Sequence, residues 1–421
     1  MSLGEGAFAL RIAVLGAGPV GLEAALYGAA LGHEILCIER GEIAAAVRSW
    51  GHVGMFSPWP LNVSSLGAAR LHKAGRDVPG SGPEAAEAPT GAQYAARYLV
   101  PLSQDPLLAG RIRQHSRVVA VGKRGLRKGE LIGKAARGDH QFRLLVEDAT
   151  GEHLEYADVV LDCTGTYGTP NAIGAGGIPA PGERWLGDRL IRHVPDVLGK
   201  DRARFARRRV LLVGAGLSAA TAAVALAELG AAQPATQVVW AVRRRLALPY
   251  QPIADDPLPM RARLHQAANQ VAERAAAGGP LSYRPATSVD SITAEGHRLR
   301  VRLQDDRGTG TEEPFDEVVG LTGYGPERDL YRELQVHECY ASLGPMSLAA
   351  TLLGQSGDCL AQPKPGPETL KNPEPRFFIL GAKSYGRNSA FLVQLGLAQI
   401  RGAYALLHKD PALDLYAAPA A

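Results

Sequence analysis

Cysteine is scarce in this chain, and its arrangement excludes several kinds of site. Only four of the 421 residues are cysteines, namely Cys37, Cys163, Cys339 and Cys359. None of them forms a C-x-x-C pair, and no spacing of cysteine and histidine resembles that of a zinc site. Four scattered thiols in a chain of this length fit a reducing compartment better than a disulfide scaffold, so we expect a cytoplasmic protein without a metal.

A large charge excess and long apolar runs are also missing. The formal net charge is +4 at pH 7, which gives no reason to expect binding to nucleic acid or to a membrane surface. No run of about twenty uncharged apolar residues is present, so we expect no membrane span. The first residues lack the apolar core of a signal peptide. With 46% hydrophobic and 21% charged residues, the composition is that of a globular protein long enough for two or three domains.

A glycine motif near the N-terminus has the features of a dinucleotide-binding unit. An apolar run at residues 10–15 leads into Gly16, Gly18 and Gly21, followed by an Ala/Leu-rich helix and a second apolar run that ends at Glu39. The first glycine permits a sharp turn, the second lets the backbone approach a pyrophosphate, and the third lets the helix lie close to the strand. A carboxylate at the end of the second strand suits the ribose hydroxyls. The predicted cofactor contacts of this half are Gly16, Gly18, Gly21, Glu39, Arg40 and Gly165.

A second glycine motif lies in the middle of the chain and is followed by charges of the opposite sign. The sequence G-A-G-L-S-A places Gly214, Gly216 and Ser218 at the start of a helix. The next strand ends in three consecutive arginines, Arg243, Arg244 and Arg245, whereas the corresponding strand of the first motif ends in a carboxylate. Guanidinium groups bind a 2′-phosphate in a bidentate way, whereas a carboxylate repels it. The first motif therefore fits FAD or NAD and the second fits NADPH, although a basic surface loop is an alternative for the arginines.

The two halves of the chain also end alike. After each strand-helix-strand unit, a pair of alternating strands leads into an apolar strand and then into Thr-Gly, within residues 162–166 and again within residues 321–324. In such folds this strand returns the chain to the cofactor edge of the parent sheet. Two nucleotide units in one chain are explained if a pyridine nucleotide passes a hydride to a flavin.

Together these features resemble the two-dinucleotide-binding flavoproteins, which include the glutathione and thioredoxin reductases and the flavin-containing monooxygenases. The resemblance extends over nearly the whole chain. It implies an α/β fold with two Rossmann-like dinucleotide-binding domains, each of three layers (ββα), and an NADPH domain inserted into a discontinuous FAD domain. We therefore expect the FAD domain at residues 1–200 and 325–421, the NADPH domain at residues 201–324, and FAD and NADPH as cofactors.

The C-terminal segment agrees with this family pattern except at one position. A strand at residues 377–380 runs into Gly381, and we expect Asn388 and Ser389 to cap the long apolar helix that follows. Gly381, Asn388 and Ser389 are predicted to bind the cofactor as well. In the related flavoproteins this helix directs its N-terminus at the flavin, where it stabilises negative charge. Disulfide reductases usually carry Gly-Asp at the end of this strand, whereas this chain has Gly381-Ala382.

Within this group the chain resembles the flavin-containing monooxygenases most. Its second glycine motif and a later T-G-Y stretch match theirs. The aromatic-rich loop at residues 49–65 contains Asn62 where those enzymes place a flavin-side asparagine, whose amide would hydrogen-bond the flavin's oxygen adduct or the nicotinamide. His52 and Trp59 in the same loop are candidates to contact the isoalloxazine ring. Packing of the loop on the core is the alternative for Trp59.

One departure concerns a histidine that the monooxygenases carry before the second motif. This chain has Ile191 at that position, and His193 comes two residues later. We interpret the chain as an FAD-dependent, NADPH-consuming monooxygenase that oxygenates a nitrogen or sulfur atom of a small molecule. The alternatives are an NADPH-dependent reductase that uses Cys339 and Cys359, and a flavin redox sensor with little turnover. The sequence is compatible with a homodimer.

Overall fold

The chain forms two compact units, which the computed structural model describes over residues 9–254, 256–353 and 365–417. The first unit comprises Met1–Gly51, Ser57–Thr169 and Gly325–Ala421, and the second comprises His52–Phe56 and Pro170–Tyr324. Most of the second unit is thus inserted into the sequence of the first. It begins some thirty residues before the boundary expected from the sequence, because Pro170 and Gly174 form bridges with Tyr324 and Val289, and a short strand at Leu190–Ile191 pairs with the sheet of the second unit.

The described part of the chain contains strands, α-helices and short 3-10 turns. The strands are β1 Arg11–Leu15, β2 Glu34–Ile38, β3 Ile112–Arg113, β4 Arg117–Lys123, β5 Phe142–Asp148, β6 Gly151–Ala157, β7 Val159–Asp162, β8 Leu190–Ile191, β9 Arg209–Val213, β10 Gln237–Ala241, β11 Leu281–Arg284, β12 Thr287–Glu295, β13 Arg298–Asp305, β14 Gly310–Phe315, β15 Glu317–Gly320 and β16 Phe377–Ile379. The α-helices are α1 Pro19–Ala30, α2 Ala45–Ser49, α3 Ser65–Lys73, α4 Gly91–Tyr94, α5 Val100–Ser103, α6 Arg202–Phe205, α7 Leu217–Ala232, α8 Pro259–Ala276, α9 Met346–Leu352 and α10 Val393–His408. Over the same residues, we find no helix with the length and apolar character needed to cross a membrane.

The first unit is built on a parallel sheet with the strand order β16-β7-β1-β2-β3. The antiparallel meander β4-β5-β6 covers one face, where Phe142 and Leu144 share a buried core with Leu15 of the sheet. On the other face α1 packs so closely that a Cβ atom on Gly28 would lie 2.7 Å from the Ile35 side chain. The hydroxyl of Tyr404 in α10 donates a hydrogen bond to α1. The unit therefore has three layers.

The second unit repeats this arrangement. Its parallel sheet has the order β11-β10-β9-β15-β8. The meander β12-β13-β14 packs Val301 and Phe315 against Leu211 on one face. On the other face, Leu226 of α7 shares a buried core with Trp240 of β10. Two parallel sheets, each between a meander and helices, confirm the predicted α/β fold with two Rossmann-like units.

The strand that follows each meander returns to the parallel sheet of its unit, as expected from the sequence. β7 follows the first meander and pairs in parallel with β1, and β15 follows the second meander and pairs in parallel with β9. Because the carboxyl ends of parallel strands meet at one edge, the loops after β1, β2, β7 and β16 lie at the same edge of the first sheet.

The last helix begins later than predicted. Asn388 and Ser389 precede a helix that starts only at Val393. A 3-10 turn after β16 ends at Gly386, whose φ of 61° reverses the chain direction. The Asn388 side chain then accepts a hydrogen bond at 2.9 Å from the N–H of Ala390, which closes a local turn. The predicted helix-capping role of Asn388 and Ser389 is therefore wrong.

Candidate functional site

Two glycines of the first motif are required by the backbone itself. Gly16 follows β1 with a φ of 94°, and a Cβ atom on it would lie 2.9 Å from the carbonyl oxygen of Cys163. A Cβ atom on Gly21 would lie 1.8 Å from the carbonyl oxygen of Gly16. A side chain at Gly16 would collide with the loop after β7, and a side chain at Gly21 would push α1 away from the loop after β1.

The middle glycine has the opposite environment. Gly18 is the N-cap residue of α1, and no atom lies within 4 Å of the position that its Cβ would take. Its φ of −81° suits any residue, so neither the conformation nor the packing of the protein calls for glycine. Open space beside the N-terminal end of a twelve-residue helix is what an anionic pyrophosphate needs. The first loop therefore fits a dinucleotide.

Glu39 lies directly after β2 and is oriented by the same loop. One carboxylate oxygen accepts the N–H of Ala17 at 2.7 Å, and the other accepts the N–H of Gly41 at 2.9 Å. The neighbouring Arg40 is exposed, and its guanidinium lies 3.0 Å from where a Cβ on Gly168 would be. Gly165 has a φ of 69° and open space around its Cβ position. These predicted contacts thus lie on loops at the carboxyl edge of the first sheet.

A buried ion pair at this edge was missed by the sequence analysis. Lys383 lies in the turn after β16, and its ammonium group is 2.6 Å from a carboxylate oxygen of Asp162 at the end of β7. Both side chains are completely buried. The ammonium also donates to the hydroxyl of Thr164 at 2.9 Å, and that hydroxyl donates to Asp162 at 2.6 Å. The cluster ties together two neighbouring loops of the predicted FAD site. The available signal was a charged residue at the end of one apolar strand and a second, of opposite sign, in the turn after another.

The second glycine loop has the same geometry as the first. Gly214 has a φ of 138°, and a Cβ atom on it would lie 2.2 Å from the carbonyl oxygen of Leu321. No atom lies within 4 Å of the Cβ position of Gly216, the N-cap residue of α7. Ala219 is fully buried where the first motif has its third glycine, and Ser218 is exposed in the first turn of α7. This loop therefore fits a second dinucleotide.

The three arginines after β10 are not equivalent. Arg243 and Arg244 are exposed to solvent. Arg245 is held by Asp306, with its Nε 2.7 Å from one carboxylate oxygen. Since Asp306 already neutralises Arg245, the charge available for a 2′-phosphate is that of Arg243 and Arg244.

The residues proposed to face the flavin have different environments. Asn62 is buried, its amide donates hydrogen bonds to the carbonyls of Ser57 and Pro58, and its amide oxygen accepts from the Ser57 hydroxyl. Both amide hydrogens are therefore engaged in holding its own loop. Trp59 is buried beneath the guanidinium of Arg97, which lies 5.2 Å from the ring centroid, so the packing alternative accounts for it. His52 is exposed and belongs to the second unit.

The cysteines have contrasting environments. Burial raises the pKa of the Cys37 thiol to about 12 and raises the pKa of Cys163 as well, which makes both thiols unreactive. In Cys339, hydrogen bonds from the hydroxyl and N–H of Ser342 lower the thiol pKa. Its turn contacts the segment after β16, where the N–H of Arg387 donates to the Ser342 carbonyl at 2.7 Å. Cys359, its proposed partner, lies outside the described residues.

The chain matches the pyridine nucleotide-disulphide oxidoreductase family over residues 10–339. It belongs to this family. The match covers both glycine loops and both sheets except for β16, so the chain is an oxidoreductase that depends on FAD and NAD(P), as the sequence predicted. No curated relative matches it. In the described parts of the chain, no group of three or more histidine, cysteine or acidic side chains is placed to hold a metal ion.

Solved structures similar to this family member include both reductases and hydroxylases. The bacillithiol disulfide reductase of Bacillus cereus is 19% identical with a TM-score of 0.66, over 96% of this chain and 100% of that one. The thioredoxin reductase of T. acidophilum is 14% identical with a TM-score of 0.57, over 95% and 99%. The ornithine N-hydroxylase of Kutzneria sp. 744 is 16% identical with a TM-score of 0.60, over 96% and 99%. At these identities the likeness shows the fold, which is shared by enzymes of different chemistry.

Proposed function

We propose that the first glycine loop binds FAD, that the second binds NADPH, and that the enzyme passes a hydride from the second cofactor to the first. The observation that carries the proposal is the repeated loop. In each half, two loop positions are closed by packing, while the middle glycine, Gly18 or Gly216, is open at a helix N-terminus. Bound FAD supplies a two-electron acceptor at such a site.

The charged residues at the two loops support this order of the cofactors. Glu39 presents a carboxylate beside the first loop, which suits ribose hydroxyls. Arg243 and Arg244 present two guanidinium groups after the equivalent strand of the second unit, which suits a 2′-phosphate. The Glu39 carboxylate would repel the 2′-phosphate of NADPH, so the first loop is the less suitable of the two for this nucleotide.

The arginines provide a test of the second assignment. We expect Arg243→Ala and Arg244→Ala to raise the KM for NADPH by about ten- to a hundredfold each, because each loses a charged hydrogen bond to the phosphate. The KM for NADH should stay nearly constant. Arg245→Ala is the matched control and should change little, since Asp306 already holds that side chain. Equal losses for both nucleotides, measured by steady-state kinetics, would refute the assignment.

For the second half-reaction we propose oxygenation of a nitrogen or sulfur atom of a small molecule. The three described cysteines are all buried free thiols, and two of them, Cys37 and Cys163, have raised pKa values. A dithiol at the flavin therefore has no support among the described residues. One similar fold, the Kutzneria enzyme, was solved with reduced FAD, NADP⁺ and L-ornithine. The proposal does not rest on Asn62, whose amide is engaged. Free thiols also support a reducing cytoplasm as the site of action.

Cys339 favours a second candidate, a thiol-dependent reductase. Its pKa is lowered by hydrogen bonds, and its turn contacts the segment that follows β16. The thiolate is the nucleophile in disulfide exchange, so the lowered pKa of this buried thiol favours it over Cys37 and Cys163 as the nucleophile. Two of the similar folds are disulfide and thioredoxin reductases.

Changing Cys339 to serine separates the two candidates. For an oxygenase we expect Cys339→Ser to consume NADPH and oxygen as the wild type does, because no thiol takes part. For a reductase the variant should lose NADPH-dependent reduction of a low-molecular-weight disulfide. Cys163→Ala is the control, since that thiol is buried and unreactive. NADPH consumed, peroxide released and disulfide reduced should be measured for all three proteins. Loss of turnover in Cys339→Ser alone would replace the oxygenase proposal by the reductase.

A further inference from the structure

Two aromatic side chains donate hydrogen bonds to the backbone of the second glycine loop. The indole N–H of Trp240 donates to the carbonyl of Gly214 at 2.9 Å. The hydroxyl of Tyr250 donates to the carbonyl of Gly216, also at 2.9 Å, beside the helical hydrogen bond that this carbonyl accepts from the N–H of Ala220 at 3.0 Å. Both side chains are buried. The two donors therefore act on the two glycines that flank the turn into α7.

Each bond fixes more than a carbonyl oxygen. A trans peptide group is planar, so its C=O and its N–H point in opposite directions. The carbonyl of Gly214 shares its peptide group with the N–H of Ala215, and the carbonyl of Gly216 shares its group with the N–H of Leu217. Holding these carbonyls toward the protein turns the two N–H groups the other way. N–H groups at the start of a helix are the donors that bind a phosphate.

The first loop lacks an equally strong anchor at the equivalent position. Cys37 is the fourth residue of β2, as Trp240 is the fourth residue of β10. In each half the following residue accepts the N–H of the first glycine, Gly16 or Gly214. The Cys37 sulfur lies 3.8 Å from the carbonyl oxygen of Gly16, and a thiol is only a weak donor. The aromatic anchoring is therefore a property of the second loop.

Tyr250 is held in place before any ligand binds. Its backbone N–H donates to the side chain of Asn269 at 3.1 Å, and that side chain donates back to the Tyr250 carbonyl at 2.8 Å. Its ring stacks on His265, with the centroids 4.7 Å apart and the planes 10° from parallel. Asn269 and His265 both lie on α8. The hydroxyl is therefore positioned by the helix and not by the glycine loop alone.

We propose that Tyr250 is a positioning residue for the pyridine nucleotide: its hydroxyl adds a second hydrogen bond to the Gly216 carbonyl and, with the first helical bond of α7, holds the Gly216–Leu217 peptide so that the N–H faces the pyrophosphate. The inference rests on the proposed function, since it takes the second loop as the nucleotide site. The pyrophosphate is common to NADPH and NADH, so Tyr250 serves both nucleotides equally. It differs in this from Arg243 and Arg244, which act on the 2′-phosphate alone.

Tyr250→Phe tests the proposal because it removes the hydroxyl and keeps the ring stacked on His265. Dissociation constants of the FAD-loaded protein for NADH and NADPH should be measured by titration without turnover. We expect both to rise by the same factor, about two- to tenfold for one lost hydrogen bond. The FAD content should stay unchanged, and the midpoint of thermal unfolding should fall by no more than about a few degrees.

Tyr283→Phe is the matched control. Its hydroxyl donates to the carbonyl of Leu246 at 3.1 Å, so it lies in the same unit but does not reach the glycine loop. NADH affinity should therefore be unaffected in this variant. If Tyr250→Phe binds both nucleotides as tightly as the wild type, or loses affinity for NADPH only, the positioning role is overturned. If the wild type itself binds neither nucleotide, the proposed function fails and not this inference alone.

Discussion

Substituting Gly18 by valine is expected to give a folded protein that is isolated without FAD. The position has an extended conformation and no neighbouring atom within 4 Å of its Cβ site, so the protein itself accommodates the side chain. The valine would instead occupy the space assigned to the pyrophosphate. We expect the flavin content after purification to fall to a few per cent of that of the wild type or below, on the order of a hundredfold loss in affinity, equivalent to about 2.7 kcal/mol.

Two further valine substitutions serve as controls for this result. Gly216→Val should keep its FAD and lose binding of the pyridine nucleotide, because its open space lies at the second loop. Gly21→Val should fail to fold, because its Cβ would lie 1.8 Å from a backbone oxygen. Circular dichroism reports folding and the visible spectrum reports bound flavin. Full FAD occupancy in Gly18→Val would show that the first loop does not bind the flavin.

Lys383→Met is expected to destabilise the protein by about 3–5 kcal/mol, because it leaves the carboxylate of Asp162 buried without a counter-charge. Both groups of this pair are completely enclosed, so water cannot replace the lost partner. The loops after β7 and β16 should separate, and the FAD content should fall with them. Urea unfolding followed by circular dichroism measures the loss.

Two further variants show whether the loss of stability in Lys383→Met comes from the unpaired charge of Asp162. The double substitution Lys383→Met with Asp162→Asn leaves no buried charge and should recover much of the stability. Arg300→Met breaks an ion pair with Glu295 in which both side chains are largely exposed, and it should change the stability little. A Lys383→Met protein that unfolds at the same urea concentration as the wild type would contradict the structural role of the pair.

The sequence was sufficient for the features that depend on local backbone chemistry. The turn at Gly16 needs a positive φ, and the contact of Gly21 with the preceding loop needs the absence of a side chain. Both requirements are visible in the sequence as glycines at a fixed spacing. The alternation of apolar runs likewise indicated the return of β7 and β15 to the parallel sheets, because these strands are buried on both faces.

Features that depend on tertiary contacts were not accessible in this way. Lys383 and Asp162 are far apart in the sequence, and only the pairing of β16 with β7 brings them together. The role given to Asn62 came from a resemblance, whereas the side chain's hydrogen bonds depend on the path of its own loop. The start of α10 was misplaced because the reversal at Gly386 follows from a left-handed φ that the surrounding sequence did not reveal.

The proposed transfer of a hydride from the second loop to the first is tested most directly by adding NADPH to the FAD-loaded protein without oxygen. The visible absorbance of the bound flavin should be lost after one equivalent of NADPH in the wild type and should persist in Gly216→Val, which retains FAD. A wild-type protein that carries FAD and binds NADPH, yet keeps its flavin absorbance with excess nucleotide, would contradict the transfer.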